Sequence, residues 1–449
     1  MFKLRLIFGI IILLLTHTES LSASSGLEAS APVVMLEDAV DKYPLGRYLE
    51  ILEDTGGNLT IEDIRSKDTS LLFTPNQKAS LNFGVTGSGV WTRFKVQNNM
   101  QNTGEWFLEL NNPRMQRVDV YIFDSVGTLV EKKVMGSQFP FQDREINNRN
   151  NLIRLTVKPQ QQLSLYSRTQ TETIHYLIWT IWSVPTFVDS ITFEYIGLGL
   201  FYGIVLALLL YNLFIFVSVK NRSYLYYIFY IASFGFYQAG LDGLSYQYFW
   251  PEYPRWGHRS VLVFGSMSLM GVFAFTKSFL ELRVNMPKTD HWLSVLVGLC
   301  GILSIFPLLG DYKIANFALT LVVFISSLFI LFTAIRSFKS GFRPARYFVF
   351  AFSILNIATF IFTFMIVGIL PSHFLIVHSI RIGAVVELFI LSLALADRIN
   401  ILKNEKIAAQ NLVVEANRIL NEELESQVEV RTRDLQISNN TKDKFFFHY

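Results

Sequence analysis

The chain has 449 residues, of which 51% are hydrophobic and only 17% are charged. Soluble domains carry about 25% charged residues, so a large part of this chain is expected to lie in lipid. The net charge of +3 argues against a nucleic-acid partner, and the single cysteine, Cys300, excludes a disulfide within the chain and a cysteine-based metal site.

The N-terminal residues show the pattern of a secretory signal. Lys3 and Arg5 precede an apolar run from Leu6 to Leu15, which is shorter than the about 20 residues that a membrane span needs. We therefore expect a signal peptide over residues 1–23, with cleavage near Ala23. A retained membrane anchor is the alternative interpretation.

Residues 31–185 alternate between apolar and polar side chains, as strands with one buried face do. In the segment VWTRFKVQ, Val90, Phe94 and Val96 fall on one face and Trp91 falls on the other. The segments RVDVYIFD and NLIRLTV repeat the pattern, and turn-like segments such as SVGT and KPQQQ separate them. The pattern predicts an antiparallel β-sandwich, with a short helix within IEDIRSKDTSLLFTPN.

Seven long apolar segments follow within residues 193–396. Six of them contain no Asp, Glu, Lys or Arg, and the seventh contains only Arg381 and Glu387. Most are long enough to cross a bilayer as helices. The predicted spans are Tyr195–Val219, Ser223–Leu241, Ser260–Thr276, Trp292–Gly310, Ile314–Ile335, Tyr347–Leu370 and Phe374–Ala396.

The loop charges predict the orientation of these spans. The loops after the first, third and fifth spans hold nine Lys and Arg residues, and the loops after the second, fourth and sixth hold three. Loops that are rich in Lys and Arg usually lie on the cytoplasmic side of the membrane. The signal peptide independently sends the sandwich outside, and seven crossings then place the C-terminus inside. Both arguments predict the same orientation.

Residues 397–440 predict a cytoplasmic coiled-coil helix. The seam positions alternate in steps of four and three, which is the coiled-coil repeat: Leu395, Ile399, Leu402, Lys406, Ala409, Val413, Ala416 and Leu420. Lys406 and the two alanines make this seam weak. An additional step of four then produces a stutter, which locally unwinds a supercoil. The seam predicts a homodimer. The candidate switching positions of this signalling helix are Leu424, Val428, Arg431 and Leu435.

Several motifs together resemble the bacterial seven-transmembrane receptors with diverse intracellular signalling modules (7TMR-DISM). Three segments are similar to the membrane domain of that family: YNLFIFVSVKNRSYLYYIFYIASFGFYQAGLDGLSYQYFWPEYPRW, FTKSFLEL and GAVVELFILSLALADRIN. LNFG, VWTRFKVQN, RVDVYIFD, GSQFPFQDRE and LYSR are similar to its extracellular module. The resemblance implies a multidomain membrane protein in the inner (plasma) membrane of a bacterium. Its parts would be an extracellular jelly-roll β-sandwich, a seven-helix transmembrane bundle and a C-terminal coiled-coil helix.

The end of the chain resembles the beginning of a kinase output. LESQVEVRTRDL is similar to the signalling helix that joins sensors to kinases or cyclases, and KDKFF resembles the start of a histidine-kinase dimerisation helix. Residues 441–449 are therefore interpreted as a stub of that helix. His448 stands too close to Phe446 to be the phosphoacceptor, and no nucleotide lid or Mg-binding Asn follows. We expect no catalytic residue, no cofactor and no enzyme activity, with the output missing or supplied by a kinase or cyclase partner chain.

Aromatic and arginine side chains of the sandwich are candidates for a ligand site. Aromatic faces stack on sugar rings, and arginine binds carboxylates or hydroxyls through two donors. The resemblance implies a small-molecule or carbohydrate-like ligand. Core packing of the aromatic residues and structural roles of the arginines are the alternative. The candidates are Trp91, Arg93, Arg149, Tyr166, Arg168, Trp179 and Trp182.

Polar residues within the spans are candidates for a transmembrane switch. Glu387 lies near the middle of the seventh span, where an ionised carboxylate costs several kcal/mol unless it is paired. Arg381 is six residues away and on another side of the helix, so we expect no direct pair between them. Asn212, Asn356 or a tyrosine is the expected partner of Glu387. A satisfied structural glutamate is the alternative interpretation.

The favoured function is a sensory receptor that couples ligand binding outside to the C-terminal helix. A kinase-less partner or regulator of full-length receptor histidine kinases is the alternative. A transporter is less favoured, because transporters usually show internal repeats and several buried charges, whereas only Arg381 and Glu387 lie in the spans. Metal binding is not expected, since His373 and His378 are five residues apart and lack a third ligand.

Overall fold

The computed structural model describes residues 33–366, 370 and 374–446. The predicted signal peptide at residues 1–23, the candidate ligand His373 and the terminal His448 lie outside the described residues. In the described part, a β-sheet domain precedes a set of long helices, as the sequence predicts for a multidomain membrane protein.

The β-sheet domain contains thirteen strands within the described residues. They are β1 (Val33–Leu36), β2 (Lys42–Pro44), β3 (Glu50–Asp54), β4 (Thr74–Pro75), β5 (Leu81–Val85), β6 (Gly89–Asn98), β7 (Gly104–Leu110), β8 (Arg117–Phe123), β9 (Leu129–Met135), β10 (Asn151–Val157), β11 (Gln162–Gln170), β12 (Ile174–Leu177) and β13 (Trp179–Ser183).

Two sheets enclose the core of this domain. The larger sheet has the order β4-β3-β6-β11-β8-β9, and β1 pairs in parallel with β6. The smaller sheet has the order β10-β7-β13-β2, and β12 pairs with β5 in a separate two-stranded sheet. Every pairing except that of β1 with β6 is antiparallel. The core holds side chains from both sheets, among them Val90, Phe94, Leu108 and Ile153.

The outer face of the larger sheet is covered by two short helices, α1 (Ile61–Arg65) and α2 (Lys67–Ser70). Helix α1 begins with a capping box, in which the Thr60 hydroxyl accepts from the Asp63 N–H and the Asp63 carboxylate accepts from the Thr60 N–H. Ile64 of α1 packs with Trp91 of β6 in a second apolar cluster. Trp91 therefore lies on the predicted face of β6 but under a helix instead of in solvent.

Nine further α-helices lie within the described residues. They are α3 (Val184–Val219), α4 (Arg222–Leu241), α5 (Pro254–Phe279), α6 (Leu282–Asn285), α7 (Pro287–Leu309), α8 (Tyr312–Lys339), α9 (Ala345–Ile366), α10 (Phe374–Val377) and α11 (Ser379–Phe446). Within this part of the chain, α3, α5, α7, α8, α9 and α11 are long and apolar enough to cross a membrane. Helix α4 has 20 residues and is less apolar, because it carries five tyrosines.

The ends of the helices differ from the predicted spans. Helix α3 begins at Val184 and not at Tyr195, since Pro185 fits the first turn of a helix, where no N–H donor is needed. The seventh predicted span, Phe374–Ala396, is divided between α10 and α11. Helix α11 then continues without a break to Phe446. The last span and the predicted coiled-coil segment are thus one helix.

The long helices share one apolar core. Aromatic rings of three residues meet near its centre, with ring centroids 4.9 to 5.6 Å apart between Phe275, Phe279 and Phe348. Leu388 and Leu391 of α11 are fully buried in the same cluster. The membrane part of α11 is therefore held by several neighbouring helices.

Candidate functional site

Four of the predicted ligand residues lie side by side on β6 and β11. In the register of these strands, Trp91 lies opposite Arg168 and Arg93 lies opposite Tyr166. Trp91 is 0% exposed and stacks on Tyr121, with ring centroids 6.0 Å apart. This indole has no exposed face on which a ligand could stack.

The two arginines of this group make contacts within the sandwich. Arg93 pairs with Glu50 at 2.6 Å and donates to the Ser70 hydroxyl at 2.6 Å. Arg168 donates to the Gly57 carbonyl at 2.6 Å. Both side chains therefore hold the segment that contains α1 and α2 against the sheet. Ligand binding by this group stays a prediction.

The other two predicted aromatic residues lie in the smaller sheet. Trp179 is buried in the core, and the indole N–H of Trp182 donates to the Glu109 carboxylate at 2.9 Å. Asn150 also donates to Glu109, at 2.6 Å, while burial raises the pKa of this carboxyl. The structure thus places four of the seven predicted ligand residues side by side on the larger sheet and the other three, Arg149, Trp179 and Trp182, elsewhere.

Arg149 links the sandwich to the helices. This residue is 4% exposed and pairs with Glu194 of α3. A second donor of its guanidinium reaches the backbone carbonyl of Asp242 at 2.9 Å. Removing one partner from a buried ion pair is strongly destabilising, because it leaves the other charge uncompensated.

Asp242 follows the last residue of α4 and joins three parts of the molecule. Its carboxylate is 3% exposed, pairs with Arg381 of α11 and accepts from the Tyr202 hydroxyl of α3 at 2.6 Å. Its carbonyl accepts from Arg149 of the sandwich. We call Arg149, Glu194, Tyr202, Asp242 and Arg381 the outer hub.

The turn beside Asp242 lies against the sandwich. Gly243 has a φ of +78°, which favours glycine, and a Cβ at this position would lie 2.6 Å from the Pro113 Cβ. Sequence reasoning missed Asp242, although a lone carboxylate next to glycine at the end of an apolar span was a usable signal. Its partners lie far apart in the sequence, so only the fold shows the hub.

A second polar contact joins the sandwich to α5 and α8. The His258 Nε2 lies 3.1 Å from the Gln116 Nε2 and 3.5 Å from a Glu172 carboxylate oxygen. The hydrogen bond with His258 lowers the pKa of Glu172 to about 2. Arg114 donates to the Tyr312 hydroxyl at 2.7 Å. The sandwich therefore contacts the outer ends of several helices.

Within the bundle, Glu387 is completely buried and accepts from the Tyr230 hydroxyl at 2.9 Å. The other two expected partners bind elsewhere: Asn212 donates to Ser392 at 2.9 Å, and Asn356 binds a serine of α8. Arg381 pairs with Asp242 and not with Glu387. Of the expected partners, a tyrosine therefore binds Glu387.

A further set of contacts holds α11 where it leaves the bundle. Arg398 donates to the carbonyls of Ser278 and Phe279 and pairs with Glu281 at 2.6 Å. Carbonyls at a helix C-terminus lack partners within the helix, and a basic side chain satisfies them. The neighbouring Asp397 accepts from the Tyr347 hydroxyl at 3.0 Å. We call Asp397, Arg398 and these partners the inner clamp.

The site is thus an arrangement of contacts along α11: the outer hub, the Glu387–Tyr230 pair and the inner clamp. Each one binds α11 to α4, α5 or α9, or to the adjoining turns. Among the described residues, no group of three or more His, Cys, Asp or Glu side chains is placed to hold a metal ion. The outer hub thus connects the sandwich to α11 through Asp242 and its partners.

Two family models match the chain. The model described as 7TM diverse intracellular signalling matches residues 194–398, and the model described as 7TMR-DISM extracellular 2 matches residues 46–183. No curated protein matches the sequence. The two matches follow one another along the chain, as the β-sheet domain and the helices do, and they include all five residues of the outer hub. The chain therefore belongs to the 7TMR-DISM family of membrane receptors.

Proposed function

We propose that this receptor senses a small-molecule or carbohydrate-like ligand through its sandwich and transmits the event along α11. The outer hub carries this proposal, because one residue, Asp242, contacts the sandwich through its backbone carbonyl and contacts α3 and α11 through its carboxylate. A displacement of Arg149 by the sandwich would change the position of Asp242 and, through it, of Arg381. The sandwich would lie outside a bacterial inner membrane and the end of α11 in the cytoplasm.

Such transmission needs two states that bind the ligand with different affinities. The hub would hold one state through its ion pairs, and the Glu387–Tyr230 pair would fix the rotation of α11 in the membrane. Movement of α11 would then reach the predicted stutter at Leu424, Val428, Arg431 and Leu435. The output would be a kinase or cyclase that this helix drives.

Dimerisation through α11 completes the proposal. The predicted seam residues Val413, Leu420, Leu424 and Val428 are exposed in the described single chain. Apolar residues in this repeat bury their side chains against a second helix. A second copy is the proposed occupant, and a full-length receptor kinase with the same helix is the second candidate.

A fusion protein tests the proposal. A complete histidine-kinase core would be joined after Leu435, and the autophosphorylation rate would be measured in nanodiscs. We expect Asp242→Asn and Arg381→Gln to change this rate at least about fivefold, the lower range of allosteric coupling. A Gly-Gly insertion after Leu424 should abolish the effect of both substitutions, because it interrupts the helix.

Lys133→Gln is the matched control, since Lys133 forms ion pairs within the sandwich, with Glu131 and Glu145. This variant should leave the rate unchanged. Equal rates for the active fusion and for both hub variants would show that the hub does not transmit a signal to α11.

A further inference from the structure

The turn between α8 and α9 carries a group of exposed cations. Arg336, Lys339 and Arg343 are exposed, and no carboxylate in the described part of the chain forms an ion pair with any of the three. Arg336 and Lys339 lie three residues apart, on one face of the last turn of α8. The neighbouring Ser337 is buried, so this face points away from the bundle.

Apolar surface continues from these cations along the membrane part of α8 and α9. Phe332 lies one turn before Arg336 on the same face and is 59% exposed, and Phe350 of α9 is also exposed. Both helices are long and apolar enough to cross a membrane. A cationic turn beside such a surface fits a ligand that has an anionic head and an apolar tail.

The same turn touches α11 at the inner clamp. The Arg398 guanidinium lies over the Phe342 ring at 6.0 Å. Arg346 reaches the Asp397 carboxylate at 3.5 Å. The Arg346 side chain is 58% exposed and the Asp397 side chain is 35% exposed. Exposed ion pairs of this kind contribute little, about 0–1 kcal/mol. A phosphate group would compete well for Arg346, because arginine binds phosphate oxygens through two donors.

We propose that this turn binds an anionic phospholipid of the bilayer and that the bound lipid takes Arg346 from Asp397, which removes one restraint on α11 beside the inner clamp. The inference rests on the proposed function only in that α11 is the output helix. Lipid composition would then set how readily α11 moves. The exposed apolar surface favours a lipid over a free anion, because the acyl chains of a lipid can cover that surface and a free anion cannot.

The first measurement is lipid retention. The full chain would be placed in nanodiscs of phosphatidylcholine with roughly one-third phosphatidylglycerol, and the retained lipid would be measured by native mass spectrometry. Each basic residue near an anionic surface contributes about fivefold in affinity. The triple variant Arg336→Gln, Lys339→Gln, Arg343→Gln should therefore lower the affinity for phosphatidylglycerol at least about tenfold. Lys220→Gln, Arg222→Gln, Lys288→Gln, at three other exposed cations, is the matched control and should retain the lipid.

The second measurement is the mobility of a spin label at Asn400→Cys, an exposed position two residues after Arg398. The single native cysteine, Cys300, is buried. Phosphatidylglycerol should raise the mobility of this label in the wild-type background and in the control variant. The triple variant should show no such increase.

Three results would overturn the inference. Equal retention of phosphatidylglycerol by the triple variant would remove the lipid site. Retention without a change in label mobility would show that the bound lipid does not release α11. An equal mobility change on adding inorganic phosphate to pure phosphatidylcholine nanodiscs would assign the turn to a free anion. None of these measurements uses a sensed ligand or a kinase, so they fail independently of the receptor proposal.

Discussion

At the scale of single residues, His175 of the sandwich and Glu387 of the bundle are polar side chains that are fully buried. His175 of β12 is fully buried, and its Nε2 lies 2.9 Å from the Thr169 hydroxyl. Glu387 depends on one tyrosine hydroxyl within the bundle. Each group can be tested by a substitution that keeps its shape.

The pH dependence of the sandwich should follow His175, since burial lowers the pKa of this imidazole from 6.5 to about 4. Between these values the unfolded chain binds a proton that the folded state does not, so stability falls as the pH is lowered. The loss at pH 5 should be about 2 kcal/mol. Urea unfolding of the full chain in detergent, followed by tryptophan fluorescence at pH 7 and pH 5, measures it.

His175→Gln is the control for this experiment, because glutamine can bind Thr169 but does not titrate in this range. In this variant, the difference between the free energies of unfolding at pH 7 and pH 5 should be about 2 kcal/mol smaller than in the wild type, whatever the absolute stability of the variant. An unchanged pH difference in the variant would assign the dependence to other groups.

The Glu387–Tyr230 pair should stabilise the bundle. Tyr230→Phe leaves a buried carboxyl without its donor, which costs about 1–3 kcal/mol. Thermal unfolding in detergent would measure this loss. Tyr224→Phe is the matched control in the same helix, since the Tyr224 hydroxyl is buried and has no hydrogen-bond partner in the described part of the chain. Equal losses in the two variants would contradict a specific role for the pair.

At the scale of elements, α11 differs from the other long helices, because its sequence changes from apolar to charged along its length. Its first part is buried among α4, α9 and their neighbours, and the described side chains after Asn404 are exposed. An exposed apolar row on such a helix is typical of a surface that binds another helix.

Two adjacent valines distinguish the predicted seam from the rest of the α11 surface. Val413 lies on the seam and Val414 lies off it, while their exposures are similar, at 60% and 68%. Val413→Asp should weaken dimerisation at least about tenfold, because it places two carboxylates opposite each other. Val414→Asp should have little effect. Single-molecule photobleaching in nanodiscs would count the copies, and equal effects of the two substitutions would contradict a dimer through this seam.

At the scale of the whole molecule, the sandwich contacts the helices through polar groups and through one apolar cluster, in which Leu152 and Trp182 pack with Phe187 of α3. Polar interfaces within a chain permit relative movement more readily than large apolar ones do. The polar contacts between the sandwich and the helices include those of the outer hub and those of His258 and Tyr312. The apolar cluster holds the start of α3 against the sandwich, so the polar contacts are the ones that we expect to rearrange if the sandwich moves.

The orientation of the chain gives a prediction for labelling. In sealed right-side-out vesicles, an impermeant maleimide should react with Lys133→Cys in the sandwich and should not react with Arg433→Cys in α11 until the membrane is permeabilised. In the described structure the Lys133 side chain is 24% exposed and Arg433 is exposed. Reaction of both positions before permeabilisation would place them on one side and contradict the proposed topology.

Much of the architecture follows from the sequence, because burial imposes a period of two on β6 and β10 and because lipid excludes charge from the spans. The position of the contacts could not be predicted in this way. Trp91 is on the predicted face of β6, but the capping box at Thr60 starts a helix that covers it. The outer hub joins residues that are up to 232 positions apart, Arg149 and Arg381, and no local pattern shows such a juxtaposition.

The unbroken course of α11 from Ser379 to Phe446 makes the angular phase of its far end a matter of residue count. Each residue turns an α-helix by about 100°, so deleting seven residues changes the phase by only about 20°, whereas deleting two turns the far end by about 200°. Shortening the exposed part by whole heptads should therefore preserve the sense of the response. Shortening it by two residues should present the opposite side of the helix and reverse or abolish that sense.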